Sequence, residues 1–325
     1  MRVFLILVAL VVLLAGSAFL AARWENQNFA APGPLSSEKV VVIAQGSSLR
    51  AIAERLEREG IVADAFLFRI GVMRRGEAVA LQAGEYAFPA HTSMAGTLAL
   101  IVSGKVVEHR ITVAEGLTSE AALEVVMADT VLMGEAGPAP AEGSLLPETY
   151  IFPRGTTRAD MLARMRKAQE TLLAELWPKR KAGLPFATPE EALKLASIVE
   201  KETGVASERP RIAAIFVNRL KSGMKLESDP TIIYGLTKGA PLGHALRQSE
   251  LAKDNPFSTY QIAGLPPTPI CNPGRDAIAA VLNPPDSQEL FFVADGSGGH
   301  VFAKTGAEHA RNVAKLRQIE RAQVK

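Results

Sequence analysis

The sequence predicts an α+β chain in three parts: an N-terminal transmembrane helix, a small βααβ module and a larger mixed α/β domain. Three observations point there. A charge-free apolar run opens the chain. A β-branched strand, two amphipathic helical stretches and a second strand follow within about fifty residues. The long remainder alternates helical periodicity with Gly/Pro turns. The length of 325 residues is a soft prior for about two globular domains. With 36 Lys+Arg against 34 Asp+Glu, the formal charge of +2 is too balanced for a nucleic-acid partner held by bulk charge, and none is expected. At 22% charged and 6% aromatic residues the chain is neither disordered nor polytopic. The single cysteine, Cys271, excludes an intrachain disulfide framework and a cysteine-rich zinc site.

The apolar run is Val3–Ala22, VFLILVALVVLLAGSAFLAA. About twenty residues at 1.5 Å each give roughly 30 Å, enough to cross a bilayer. Arg2 precedes it, and Arg23 and Trp24 follow. A cleaved signal peptide is the alternative, but the apolar stretch exceeds the usual h-region and the positive n-region is minimal. Residues 1–22 are therefore expected to be a retained single-span anchor. Either reading exports the remainder and argues against a cytosolic, ATP-dependent role.

Residues 23–38 (RWENQNFAAPGPLSSE), with Pro32, Gly33 and Pro34, read as an extended tether. The module follows at 39–112. Lys39–Ile43 is a strand. Leu49, Ile52, Ala53 and Leu56 recur at helical spacing up to a stop at Gly60. A second helix is expected over Ala63–Arg74 and a strand near Ala83–Phe88. This order resembles LysM-type modules, which bind N-acetylglucosamine-containing glycans; a spacer holding the next domain off the membrane is the alternative. Further elements are expected at Ser93–Val102 with Gly104 as its stop, at Val106–Val113 and at Ser119–Ala128, and the larger domain is placed at 113–325.

The chemistry concentrates between residues 187 and 236. Thr188-Pro189-Glu190-Glu191 starts a helix: Thr188 caps, proline suits the first position and Glu191 closes a capping box. Stepping about 100° per residue from Leu195, Val199 lies at about 40°, Ile198 at about −60° and Glu202 at about −20°, in the apolar stripe. Glu200 falls at about 140°, off its edge. A carboxylate against apolar surface at a helix C-terminus has its charged form disfavoured, so Glu202 is a candidate general acid near neutral pH. The alternative is a structural glutamate paired with Arg209, Arg211 or Arg219. After the next apolar stripe (Ile212, Ile215, Phe216, Leu220) and its stop at Gly223, Asp229-Pro230 marks a turn, with Asp229 or Thr231 capping a short helix.

Several runs then resemble the endolytic murein transglycosylase (YceG-like) family. They are Ala196-Ser-Ile-Val-Glu-Lys-Glu-Thr203, Phe216-Val-Asn-Arg-Leu220 and the Met224-to-Gly235 segment with Asp229-Pro-Thr and Tyr234. Thr259-Tyr260 with Gly264-Leu-Pro-Pro267, the Asn272-Pro-Gly274 run, Phe292–Phe302 and Leu146-Pro-Glu148-Thr-Tyr150 continue the pattern. The resemblance covers roughly residues 40–325. It departs from the pattern at Ser258, where asparagine is frequent, and at Thr268, where glycine is.

The resemblance implies a single-pass inner-membrane protein with a periplasmic catalytic domain. It implies cleavage of the β-1,4 bond between N-acetylmuramic acid and N-acetylglucosamine in nascent peptidoglycan, leaving 1,6-anhydro ends and terminating strand elongation. The family's catalytic glutamate maps to Glu202. Asn218, Asp229, Tyr234, Tyr260 and Glu148 are candidate substrate-binding residues, with turn capping as the alternative for Asp229 and core packing for each tyrosine. Membrane-bound peptidoglycan synthases are candidate partners, and no cofactor is expected. The five histidines show no close metal-ligand spacing, so no metal site is expected. Asp295-Gly-Ser-Gly-Gly299 reads as a hairpin connection ordered by His300, and a last helix is expected over Gly306–Gln323. The rival readings are a catalytically silent glycan-binding scaffold and a hydrolytic muramidase using Asp229.

Overall fold

A computed structural model describes residues 1–323; Val324 and Lys325, at the end of the expected larger domain, lie outside the described residues. The chain is of mixed α and β type and divides into two compact units. The first is Met1–His109 with Ile151–Gly155; the second is Arg110–Tyr150 with Thr156 to the C-terminus.

The first unit contains helix α1 (Arg2–Ala30), strand β1 (Lys39–Ile43), helices α2 (Leu49–Arg58) and α3 (Ala65–Arg74), strand β2 (Gly84–Phe88) and helix α4 (Met94–Ser103). β1 and β2 pair antiparallel, from Lys39 opposite Phe88 to Ile43 opposite Gly84. Side-chain oxygens of Ser48, Asp64 and Ser93 cap the three module helices. Asp64 starts α3 two residues later than the spacing predicts, because its carboxylate accepts from Leu67 N at 2.8 Å. Ile52, Leu56, Phe68, Tyr86, Phe88 and Ile101 fill the core. Among the described residues, α1 is the one helix long and apolar enough to cross a membrane.

The extended tether expected at 23–38 is corrected. α1 continues unbroken to Ala30, and only residues 31–38 are extended. Residues 23–30 contain no glycine or proline, and Glu25 and Phe29, one turn apart, bury against α3. Pro32 then disfavours helix at Ala31, which is extended (φ −64°, ψ 148°).

The remaining elements are β3 (Glu108–Thr112), α5 (Ser119–Ala128), β4 (Thr149–Pro153), α6 (Arg158–Leu176), α7 (Pro189–Glu202), α8 (Arg209–Lys221), α9 (Asp229–Thr237), α10 (Gln248–Leu251), α11 (Arg275–Leu282), β5 (Phe291–Ala294), β6 (His300–Ala303) and α12 (Gly306–Gln323). β3 pairs with β4, and β5 with β6 as an antiparallel hairpin over 295–299. The core of the second unit is helical: α7 lies against α8 and α11 through Leu195, Ala196, Ile198, Val199, Ile212, Phe216, Ile278 and Val281. The capping box at Thr188/Glu191 is formed.

The segment before α11 is pinned by Asn272, which is fully buried. Its Oδ1 accepts from Leu145 N (3.0 Å), its Nδ2 donates to Leu117 O (3.1 Å) and Ser119 Oγ (3.2 Å), and its backbone N donates to Leu117 O (2.8 Å). Truncation strands several buried polar groups at once, each costly when unpaired. Asn272→Ala is expected to destabilise the protein by about 2–4 kcal/mol, read as a lowered urea midpoint in detergent.

Candidate active site

Glu202 is the last residue of α7, where Thr203 turns the backbone to an extended conformation (φ −145°, ψ 134°). Facing it is the start of α9. Ser228, the N-cap residue of α9, donates its hydroxyl to Glu202 Oε1 in a short hydrogen bond. Asp229 follows, and its Oδ1 accepts from the Tyr260 hydroxyl at 2.9 Å. Asp229 and Thr231 were expected to cap α9, and neither side chain does so. The Asp229 carboxylate is committed to Tyr260, and the Thr231 hydroxyl donates to Ser228 O at 2.6 Å.

Ser228 is held from behind by buried hydroxyls. Its backbone N donates to Thr259 Oγ1 (2.9 Å), and Thr259 Oγ1 and Thr231 Oγ1 lie 3.0 Å apart. Arg219, near the end of α8, fixes the loop leading into Ser228. Its guanidinium donates to the carbonyls of Leu226 (3.0 Å) and Lys225 (3.1 Å), to Glu227 Oε2 (3.1 Å), and to Leu290 O (2.7 Å) just before β5. Glu227 tolerates its left-handed φ of 51° inside this clamp.

Burial raises the Glu202 carboxyl to about 7, and the Asp229 charge pushes the same way; the Ser228 hydrogen bond and the His300 and Arg219 charges act against it. Tyr260 is pushed above the ordinary phenol range, by burial first and then by Asp229. It keeps its proton and stays a donor to that carboxylate.

The helix-face argument separated the two glutamates by burial, and the structure separates them differently. Glu200 is also buried: α11 covers the second face of α7, so its Oε2 accepts from Gly274 N (2.9 Å) and Oε1 meets Arg209 (3.4 Å). The two differ in what their carboxylates meet: Glu202 faces a hydroxyl and a second acid, Glu200 a cation and an amide. Among the described residues no arginine forms an ion pair with Glu202. Arg209 takes Glu200, Glu115 and Asp276, Arg211 takes Glu289, and Arg219 takes Glu227.

The other predicted residues divide. Asp229 and Tyr260 join Glu202. Tyr234 is buried edge-on against Phe257 (centroids 4.9 Å apart), and its hydroxyl donates to Glu142 Oε2 at 3.1 Å; this is the core-packing role with a satisfied hydroxyl. Gly235 beside it leaves room for Asn255, whose Oδ1 would lie 1.9 Å from an added Cβ. Asn218 Nδ2 donates to Ser287 O (2.8 Å) and Glu289 O (3.1 Å), which ties the end of α8 to the segment before β5. It lines a groove of about 830 Å³ with Arg211, Lys221 and Lys304, whose lining includes none of the Glu202 cluster. Glu148 is exposed, and its backbone carbonyl accepts from Val113 N (3.1 Å). His300 orders the hairpin, its Nδ1 2.7 Å from Glu208 Oε2. At the two departures from the family pattern, the Ser258 hydroxyl is buried without a hydrogen-bond partner and Thr268 Oγ1 donates to Pro269 O.

Sequence reasoning missed Ser228, Arg219 as a loop clamp, and Glu142. Ser228 lay inside a quoted run, immediately before the Asp-Pro pair, and only the fold aims its hydroxyl at Glu202.

A helical scaffold thus presents one elevated carboxylic acid, held by a hydroxyl donor and flanked by a second carboxylate, an arrangement chemically able to donate a proton near neutral pH. The chain belongs to the YceG-like family, whose profile it matches over residues 41–315. It is 30% identical to the endolytic murein transglycosylase of Bacillus subtilis (strain 168), over 85% of this chain and 84% of that protein. It is 28% identical to the endolytic murein transglycosylase of Streptococcus pneumoniae serotype 2, over 87% of this chain and 60% of that one. The crystal structure of a YceG-like protein from Listeria monocytogenes matches with a TM-score of 0.53 at 27% identity, covering 85% of this chain and 98% of that one.

The Glu202 environment sets a stability signature. A carboxyl at about 7 when folded and near 4.3 when unfolded stabilises the folded state fully below about pH 4, and the contribution is lost as pH rises toward 7. Glu202→Gln removes this loss. At pH 8 the variant is expected to be more stable than the wild type by about 3–4 kcal/mol, seen as a higher urea midpoint, with the gap narrowing toward pH 5.

Proposed function

We propose that this chain is an anchored lytic transglycosylase. It cleaves the β-1,4 bond between N-acetylmuramic acid and N-acetylglucosamine inside nascent peptidoglycan strands, leaves 1,6-anhydro-muramyl ends and so terminates strand elongation. The observation that carries this reading is the Glu202 carboxyl at about 7, bonded to Ser228. Family membership and the names of the two relatives support the reaction class.

The chemistry needs one carboxylic acid. Protonated Glu202 gives its proton to the glycosidic oxygen as the bond from C1 breaks. The resulting carboxylate takes the proton of the muramyl 6-hydroxyl, whose oxygen closes onto C1. Glu202 regains its proton within the cycle, and the nucleophile belongs to the substrate. Ser228 occupies Oε1, which leaves Oε2 to carry the transferred proton. Asp229 raises the acid's proton affinity without reacting, and Tyr260 restrains it. The helix α1 serves as the inner-membrane anchor, with the domains that follow it on the periplasmic side. The βααβ module acts as a LysM-like contact for glycan, and membrane-bound synthases supply the emerging strands.

One observation favours a second reading, a muramidase: Asp229 is a second carboxylate beside Glu202. Digestion of purified uncrosslinked peptidoglycan by the full chain in detergent, followed by mass spectrometry, separates the two. Internal cuts ending in anhydro-muramyl residues, absent with Glu202→Gln, are the expected result. Reducing muramic ends establish the muramidase instead, and a Glu202→Gln protein that still sustains cellular function establishes a silent scaffold.

Activity is expected to fall as pH rises through about 7, because the acid must be protonated. In Ser228→Ala the bond that favours the ionised form is gone, so this limb moves to higher pH, while kcat drops on the order of ten-fold as the carboxyl loses its fixed orientation.

A further inference from the structure

We infer that the C-terminal end of α3 and the turn after it form a lipid-contacting face that seats the first unit on the bilayer. The inference rests on reading α1 as the membrane span and goes beyond it. A span followed by a loose tether leaves its domain free of the membrane surface, whereas this one is rigidly continued into its domain.

The continuation is built from three residues of α1. Glu25 is 4% exposed and its carboxylate takes both Arg74 and Arg75, the latter at 3.0 Å. Arg75 also donates to Asn26 Oδ1 (3.1 Å). Phe29 is fully buried, stacked on Phe68 with centroids 6.1 Å apart, and the Arg75 guanidinium lies 3.9 Å from its ring centroid. Gly71 passes directly over this ring: an added Cβ would lie 2.2 Å from Phe29 Cε2. A helix gripped by a buried ion pair, a stacked ring and a glycine contact cannot swivel at residue 23.

The order of these contacts sets the direction of α3. Phe68 meets Phe29, Gly71 meets Phe29 and Glu25, and Arg74 meets Glu25. α3 therefore runs back down α1 toward the apolar span. Glu25 lies three residues beyond Ala22, about 4.5 Å along the helix axis. The polar layer on each side of a bilayer is about 5–8 Å thick. The Glu25–Arg74–Arg75 clamp thus sits within the headgroup layer, and the chain leaving α3 at Gly76 starts at or below that level.

The residues there suit an interface. Val79, in the turn closed by Ala80 N to Glu77 O, is 96% exposed. Met73 is 54% exposed and Trp24 59% exposed, an apolar presentation toward this level. Arg23, Arg74 and Arg75 against Glu25 and Glu77 leave this level net positive, which suits the phosphates of phospholipid headgroups. Indole and guanidinium groups are the side chains that partition to this depth. The occupant is the phospholipid interface itself, continuous with the surface around the span.

The test uses the full chain in nanodiscs of phosphatidylcholine with phosphatidylglycerol. An environment-sensitive fluorophore is placed at Val79→Cys or, as a control, at Ala90→Cys. Ala90 adjoins His91, which pairs with Leu35 beyond the far end of α1; Cys271 is buried and remains unlabelled. Interface-depth spin-labelled lipid is expected to quench the Val79 label at least several-fold more than the Ala90 label. Equal quenching at the two positions, or none at Val79, overturns the seating while leaving the span intact. Alkaline carbonate extraction of the same protein from vesicles reads the span separately: release overturns the anchor reading, and the seating with it.

Discussion

The hydrogen bond from Ser228 to Glu202 is the contact on which the rest of the second unit converges. It joins the C-terminus of α7 to the N-terminus of α9, two elements separated by all of α8 and a loop. A short bond to one oxygen of a buried carboxyl is useful only if the hydroxyl is delivered to one place, because an elevated acid loses its orientation as soon as its partner wanders. Everything behind Ser228 serves that delivery. Thr259 accepts its amide, Thr231 donates to its carbonyl, and Arg219 spends its donors on the carbonyls of Lys225 and Leu226 and on Glu227. Arg219 is almost fully buried, and its hydrogen bonds go to carbonyls and a carboxylate of this loop and to the segment before β5. A guanidinium with a rigid fork of donors performs this clamping as lysine would not.

The same constraint explains why the two acidic residues of Glu200-Lys201-Glu202 have different fates. Packing α7 between α8 and α11 buries both carboxylates, and burial raises both. What differs is compensation. Glu200 receives the amide of Gly274 and the cation of Arg209, so its charge is met and it fastens α7 to α11. Glu202 receives a neutral hydroxyl and the field of Asp229, so its proton is retained to about 7. Two residues of offset on one helix therefore separate a fastener from an acid, and the identity of the neighbouring donor decides which is which.

Much of this was legible in the residues, and the failures have physical causes. Capping signals are local, so Thr188 with Glu191 and the stop at Gly104 were readable from the chain alone. Glu202 stood out because an acid in an apolar stripe breaks a local rule. The burial of Glu200 was not readable, since it depends on α11, whose eight-residue run after Asn272-Pro-Gly274 is too short to announce a helix by periodicity. The helical course of residues 23–30 was hidden for the opposite reason: its polar composition looks like a linker, and only tertiary burial of Glu25 and Phe29 against α3 makes it structure. The backbone partners of Asn218 were not readable, because an amide near the end of a helix is equally suited to sugar or to backbone, and only the fold brings the carbonyls of Ser287 and Glu289 to it.

The arrangement around Asp229 bears on how many carboxylates the reaction uses. A glycosidase that adds water needs its second carboxylate free, either to hold that water or to attack C1. Here one Asp229 oxygen is already engaged: Tyr260 donates to Oδ1, and the phenol is held protonated by burial and by the charge it serves. A carboxylate so restrained is a poorer base and nucleophile, while its negative charge still acts through space on Glu202. The pair therefore behaves as one acid tuned by one fixed charge. That division of labour suits a substrate bringing its own hydroxyl to C1, because the enzyme then has to move a single proton out and a single proton back through the same carboxyl. Loss of the Tyr260 hydroxyl would free Asp229 Oδ1 without removing its charge, so on the proposed reading it is this bond, rather than the presence of a second acid, that bears on which chemistry the site favours.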